Sequence, residues 1–202
     1  MKNEKELIRK ILKGEKELFS LFIREYENQI YSLCVSIVKN REEAIDLVQD
    51  TFYLAFKNLS SFKGNSKFST WLYRIAYNLS ISKVRRKNNF LSLDGIFEDG
   101  KELDIEDETS DIWLSIDEGE IKMMIEEGMK KLKPWERAII ELRDIKNLNY
   151  DEIAEILGIP MGTVKSRLNR ARNHLKKIIE MEFGTKENKI NHIDRDEDEE
   201  EI

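Results

Sequence analysis

The segment YDEIAEILGIPMGTVKSRLNRARNHL, Tyr150 to Leu175, restricts the possible folds more than any other stretch of the sequence. Tyr150 to Leu157 suits a short helix with Ile153, Ala154 and Leu157 turned inward, and Ala154 is small enough for a second helix to cross closely. Gly158 supplies a turn, and Pro160 has a φ already suited to the start of the next helix. Beyond it Val164, Leu168, Ala171, Leu175 and Ile178 fall on one narrow stripe at about 100° per residue. The other faces carry Gly162, Thr163, Lys165, Ser166, Arg167, Asn169 and Arg170, the kind of side chains that pair with base edges and phosphates. A helical hairpin with a solvated basic face would share the apolar pattern. Small residue, glycine turn, proline start and acid-free stripe together favour a DNA-binding helix-turn-helix.

The overall charge of -6, from 34 Lys and Arg against 40 Asp and Glu, is no obstacle, because the two signs are segregated. Neither Phe62–Leu91 nor Met161–Ile179 contains an acid. Ser92–Glu127 instead holds fourteen acids against Lys101 and Lys122, and the tail DRDEDEEE adds more. Two separated segments therefore keep basic surfaces suited to phosphate.

Periodicity divides the chain into blocks and predicts an all-α fold of two small helical domains joined by an acidic flexible linker. Residues 4–91 form the first domain, with Leu7, Ile8, Ile11 and Leu12, then Leu18, Phe19, Phe22, Ile23 and Tyr26, at helical spacings and breaks at Gly14 and Lys39–Arg41. Residues 92–120 form the linker, 121–181 the second domain, and 184–202 a disordered acidic tail. The start, MKNEKELIRK, lacks a signal-peptide apolar region and no apolar run is long enough to span a bilayer, so a cytoplasmic location is expected. Cys34, among Leu33, Val35 and Ile37, reads as a core residue.

The first block carries two further signals. In AIDLVQDTFYLAFKNL, one apolar stripe runs through Ile45, Val48, Phe52, Phe56 and Leu59, and a second through Leu47 and Leu54 beside Asp46, Asp50 and Tyr53. Such a helix either buries both edges or offers one to a basic partner helix; the residues alone leave both open. FKGNSKFSTWLYRIAYNLSISKVRRK then mixes rings (Phe62, Phe68, Trp71, Tyr73, Tyr77) with cations (Lys63, Lys67, Arg74, Arg85, Arg86). Unpaired bases are held by aromatic faces with cations along the backbone. Packing competes for the same rings, and Trp71 lies beside the Leu72, Ile75, Ala76, Leu79 stripe.

These motifs, in this order from about Glu4 to Ile179, resemble the sigma-70 family of RNA polymerase sigma factors, in its extracytoplasmic-function (ECF) group. LKPWERAIIELRDIKNLNYDEIAEILGIPMGTVKSRLNRARNHLKK is similar to family region 4, which reads the minus-35 promoter element as duplex. The resemblance implies contacts from Thr163, Lys165, Ser166, Arg167 and Arg170. AIDLVQDTFYLAFKNL is similar to region 2.2, which docks on core polymerase, a role carried to Asp46, Gln49 and Asp50 with Leu47 and Leu54 as packing contacts. FKGNSKFSTWLYRIAYN is similar to regions 2.3 and 2.4, which capture the melted minus-10 strand. There the implied set is Phe62, Lys63, Asn65, Lys67, Trp71, Arg74, Asn78 and Arg85. Ser82 stands where the family usually has Asp, a departure that bears on minus-10 preference.

The resemblance implies core RNA polymerase, promoter DNA and an anti-sigma factor as partners, with no cofactor, no metal, no catalytic residue and no membrane insertion. A stand-alone helix-turn-helix regulator would account for the second block alone and leave the acid-free aromatic segment without a use. A nucleic-acid enzyme is disfavoured by the absence of Cys/His metal spacing, a P-loop, or a nucleophile with its base.

Overall fold

The computed structural model describes residues 4–88 and 118–196. The described residues form helices, in the order α1 (Glu4–Leu12), α2 (Ser20–Val38), α3 (Arg41–Lys57), α4 (Phe68–Asn88), α5 (Glu118–Lys131), α6 (Pro134–Ile140), α7 (Tyr150–Leu157) and α8 (Met161–Asp196). Short 3-10 turns precede α2 and follow α3, and one turn of π-helix, Glu141–Ile145, extends α6.

The breaks fall where the local chemistry demands them. Lys39 ends α2 in the left-handed region at φ 58°, and the Asn40 side chain caps α3 by accepting from the Glu43 N–H at 2.8 Å. Gly158 ends α7 at φ 68°, a conformation that disfavours a Cβ. Pro160 stands just before α8, where its carbonyl accepts from the Val164 N–H at 3.1 Å.

Helix α2 is the spine of the first block, packed against both α3 and α4. Its buried arc of Phe22, Tyr26, Ile30, Leu33, Cys34 and Ile37 recurs every three or four residues, so one continuous apolar face meets both neighbours. Phe22 and Phe68 meet at 4.2 Å between ring centroids, and the ring chain continues through Phe62 to Trp71. Burying a side chain of this size stabilises the fold by about 1.5–3 kcal/mol.

Two registers differ from the expected ones. On α3 the buried arc is Ala44, Leu47, Val48, Thr51, Phe52 and Ala55, whereas Ile45 and Phe56 are exposed. Small residues decide this: Ala44 and Ala55 let helices approach, and the Thr51 hydroxyl satisfies itself on the Leu47 carbonyl at 2.6 Å. Leu47 is therefore a core residue, not the surface contact the resemblance implied. On α7, Ile153 and Ile156 are buried while Ala154 and Leu157 are only half-buried.

Two compact units emerge. Helices α1–α4 and Lys133–Asn169, which includes α6, α7 and the start of α8, make one. Helix α5 and α8 from Arg170 onward make the other, where Gly128 leaves space that a Cβ would lose to Leu175 at 2.8 Å. The second block begins at Glu118, slightly ahead of its expected start. Helix α8 runs to Asp196, past the expected end of the second domain at Met181 and through Gly184. A single helical glycine costs about 1 kcal/mol, too little to stop a long helix by itself. Residues 89–117, which hold the end of the expected first domain and most of the expected linker, and residues 197–202 lie outside the described residues.

Candidate nucleic-acid interface

The segment between the 3-10 turn after α3 and the start of α4 is a loop that exposes cations. Gly64 adopts φ 72°, turning the chain between Phe62 and the start of α4. Lys63, Asn65 and Lys67 are exposed on this loop, and Arg74, Asn78, Ser82 and Arg85 are exposed along α4. The rings divide into two groups. Phe68, Tyr73 and Tyr77 are buried, and the Tyr73 hydroxyl donates to Gln29 Oε1 at 2.9 Å, so these belong to the core. Burial pushes the Tyr73 hydroxyl up to about 12 and that of Tyr77 upward as well. Phe62 and Trp71 are half-buried and lie against one another at 5.4 Å. They form an aromatic pair anchored on the core ring of Phe68.

The helix-turn-helix places its polar residues as the stripe pattern requires. Val164, Leu168, Ala171 and Ile178 are buried, Leu175 is half-buried, and Lys165 and Ser166 are exposed. Thr163, Arg167 and Arg170 are half-buried. The Arg167 guanidinium lies over Trp135 at 5.5 Å, and its charge lowers the Tyr77 hydroxyl against the larger upward effect of burial. Tyr150, at the start of α7, lies under Arg143 at 4.9 Å and Lys165 at 5.7 Å.

A third surface lies on α2 and α3. Phe19, Ile23, Val48, Phe52, Tyr53 and Phe56 line an apolar groove of about 380 Å³ with Glu27 and Gln49 at its edge. Tyr53 is 63% exposed and Ile45 49% exposed. Asp46, Gln49 and Asp50 are exposed on the same helix, while Leu54 is half-buried.

Sequence reasoning missed the residues through which α6 and α7 meet the first block. The Arg137 guanidinium is buried and donates to the backbone carbonyls of Ser36 and Ile37 at the end of α2, the Ile37 bond being 2.6 Å. Burial pulls it down to about 10, and Glu136 works in the opposite direction. The Ser32 hydroxyl donates to the buried Glu141 carboxylate, which also lies 3.4 Å from Lys146 Nζ. Glu152 forms a capping box with Asn149, its Oε2 accepting the Asn149 N–H at 3.0 Å, while its Oε1 meets Lys67 Nζ at 2.8 Å. Burial works against the Glu152 carboxylate, yet the Lys67 ammonium and the Asn149 N–H hold it below the ordinary carboxylate value; the hydrogen bond with Glu152 raises Lys67 in turn. The pairing of Glu152 with Lys67 was not legible, because it depends on the packing of distant segments.

Among the described residues no group of His, Cys, Asp and Glu is placed to hold a metal ion, and no helix is long and apolar enough to cross a membrane. What these residues do form is a helical scaffold presenting a cationic aromatic loop and a helix-turn-helix, the arrangement of a promoter-reading transcription factor.

Comparison with known proteins resolves the class. Residues 22–90 match the family model for sigma-70 region 2, and residues 122–175 match that for sigma-70 region 4. The chain is 37% identical over 180 residues to the ECF RNA polymerase sigma factor SigW of Bacillus subtilis, covering 86% of this chain and 95% of that one. It is 34% identical over 174 residues to the ECF RNA polymerase sigma-E factor of Escherichia coli K12, covering 82% and 88%. Among solved structures, the sigma factor RpoE from Bartonella quintana, in complex with the anti-sigma factor NepR, aligns with TM-score 0.57 and 26% identity, over 81% of this chain and 98% of that one. CnrH, in complex with the cytosolic domain of CnrY, shares the fold with TM-score 0.60 at 21% identity, over 87% and 96%. The chain belongs to the sigma-70 family, in its ECF group, and its function is that of a sigma factor, which directs RNA polymerase in transcription initiation. The family is a non-catalytic class of initiation factors.

Proposed function

We propose that the chain divides promoter recognition among three surfaces. The exposed face of α3, with Asp46, Gln49, Asp50 and Tyr53 around the apolar groove, docks on core polymerase. The Lys63–Lys67 loop, with Phe62, Trp71, Arg74, Asn78 and Arg85, captures the unpaired minus-10 strand. The first turns of α8, with Thr163, Lys165, Ser166, Arg167 and Arg170, read the minus-35 duplex. The observation that carries this reading is the half-open Phe62–Trp71 pair bordering exposed Lys63, Asn65 and Lys67. A duplex reader has no use for such a pair, because paired bases hide their faces, whereas strand capture needs rings and cations together.

The role places the chain in the cytoplasm, with no catalytic step of its own. An anti-sigma factor is a further partner, by analogy with RpoE of Bartonella quintana and its NepR complex. Reconstituted transcription with core polymerase tests the scheme: the holoenzyme initiates at a defined promoter, and the free chain binds the same duplex far more weakly. A free chain that bound the duplex as tightly as the holoenzyme would favour a stand-alone helix-turn-helix regulator.

A further inference from the structure

The outward side of α8 carries two residues beyond the set named for the minus-35 element. In its first turns Val164 and Leu168 are buried and Thr163 and Arg167 half-buried, whereas Gly162, Lys165, Ser166 and Asn169 are exposed. At about 100° per residue these four fall within an arc of about 100°, turned away from the buried pair. Gly162 and Asn169 stand about 10 Å apart along the axis at about 1.5 Å per residue, roughly the rise of three base pairs at about 3.4 Å each.

The other polar side chains here already have partners within the chain. Arg167 lies over Trp135 at 5.5 Å, Lys165 over Tyr150 at 5.7 Å, and the Ser166 hydroxyl donates to the Thr163 carbonyl at 3.1 Å. Asn169 brings different chemistry to the same face. Its amide is short and neutral, so it gains little from phosphate, but it holds an acceptor and a donor side by side. In the major groove only adenine presents the complement on one base, an N7 acceptor beside an N6 donor.

Gly162 is informative for what it lacks. It is helical, whereas Gly64 and Gly158 adopt positive φ. A Cβ there would meet no heavy atom within 4 Å. Neither backbone nor packing therefore requires glycine, and within a helix alanine is the more favourable residue. The bare turn serves something that approaches from outside the chain, as a close-lying duplex does. We propose that Asn169 reads an adenine of the minus-35 element through two hydrogen bonds, and that Gly162, about two turns earlier on the same face, lets the duplex come close enough for that contact. The inference rests on the reading of α8 as the minus-35 surface.

The test is selection by the reconstituted holoenzyme from a promoter at which it initiates, randomised across the minus-35 element. The unsubstituted chain is expected to enrich adenine at one position by about tenfold or more, and Asn169→Ala to reduce this below about twofold while keeping the preferences elsewhere. At that position 7-deazaadenine, which lacks the N7 acceptor, should weaken binding by the unsubstituted chain and make no difference to Asn169→Ala. Gly162→Ala should leave core affinity unchanged and keep or raise the urea midpoint of the free chain, yet weaken promoter binding by the holoenzyme several-fold. A selection profile unchanged in Asn169→Ala, or an affinity lowered equally for every sequence, overturns the adenine contact. Parental promoter affinity in Gly162→Ala, or a lowered urea midpoint, overturns the close-approach role. A flat minus-35 profile for the unsubstituted holoenzyme is a separate result: it removes α8 as the minus-35 reader, and this inference with it.

Discussion

The Arg167 guanidinium lies 5.5 Å from the centre of the Trp135 ring, so a cation proposed to read DNA is stacked on its own domain. Two consequences are separable. Arg167→Ala should cost about 0.5–1 kcal/mol of stability through the lost stacking. It should also weaken promoter binding by the holoenzyme by about 1–3 kcal/mol, with relaxed preference at one base pair of the minus-35 element. Trp135→Leu should reproduce the first effect and not the second. Competition binding against point-substituted minus-35 duplexes checks this; an unchanged preference in Arg167→Ala would remove Arg167 from the reading set.

On α3 the apolar residues divide into those that hold the helix and those it displays. Leu47 is 4% exposed, so Leu47→Ala should destabilise the chain by about 2–5 kcal/mol in urea unfolding. Tyr53 is 63% exposed, and Tyr53→Ala should change stability by no more than about 0.5 kcal/mol while weakening core polymerase binding. Asp50→Ala should act like Tyr53→Ala. If Tyr53→Ala left core affinity unchanged, the groove would not be the docking surface.

The contrast between Leu47 and Tyr53 also shows how far sequence reading reaches. Helix positions, the α2–α3 break and the helix-turn-helix were legible because Lys39–Asn40, Gly158 and Pro160 act through their immediate neighbours. The stripe of Val164, Leu168, Ala171 and Ile178 was legible because one strong period dominates it. On α3 two apolar edges compete, and the choice fell to Ala44, Thr51 and Ala55, whose value is their small size at a helix crossing. Phe68, Tyr73 and Tyr77 were indistinguishable by type from Phe62 and Trp71; only burial separates core rings from displayed ones. Arg137 and Glu152 were illegible for a different reason. Their partners, Ser36, Ile37 and Lys67, lie roughly 100 and 85 residues away, and no local period reports such a pairing.

Burial pushes the Cys34 thiol up to about 11 from an ordinary value of 9.0. A raised folded value means that the native chain keeps its proton where the unfolded chain has lost it. The contribution is therefore complete below about pH 9 and is lost as pH rises toward 11. At about 1.4 kcal/mol per unit, the loss is on the order of 2–3 kcal/mol. Cys34→Ala should flatten this alkaline limb of the stability profile at some cost in packing. Denaturant midpoints at several pH values from 7 to 11 provide the measurement, and an equally steep limb in Cys34→Ala would assign it to other groups, of which Tyr73 is the first candidate.

The capture loop gives the most discriminating prediction, because its residues should matter only after the duplex has opened. Lys63, Asn65 and Lys67 are exposed, so alanine at Lys63 or Asn65 should leave stability within about 0.5 kcal/mol of the parent. Neither change should reduce core binding or closed-complex formation, since both precede the appearance of unpaired bases. Both should slow formation of the open complex. Trp71→Ala should impair the same step more strongly, as base–aromatic stacking contributes about 1–3 kcal/mol per base. It should also lower stability, because Trp71 packs on Phe62 and Phe68. Trp71→Phe separates the two effects by retaining a ring in the pair. A template already melted across the minus-10 element should rescue a defect in strand separation and leave a defect in base capture. Reconstituted transcription on paired and pre-melted promoters, with core affinity measured in parallel, resolves these steps. Were Lys63→Ala and Asn65→Ala to fail at closed-complex formation, the loop would be a duplex contact, and strand capture would have to be sought elsewhere on α4.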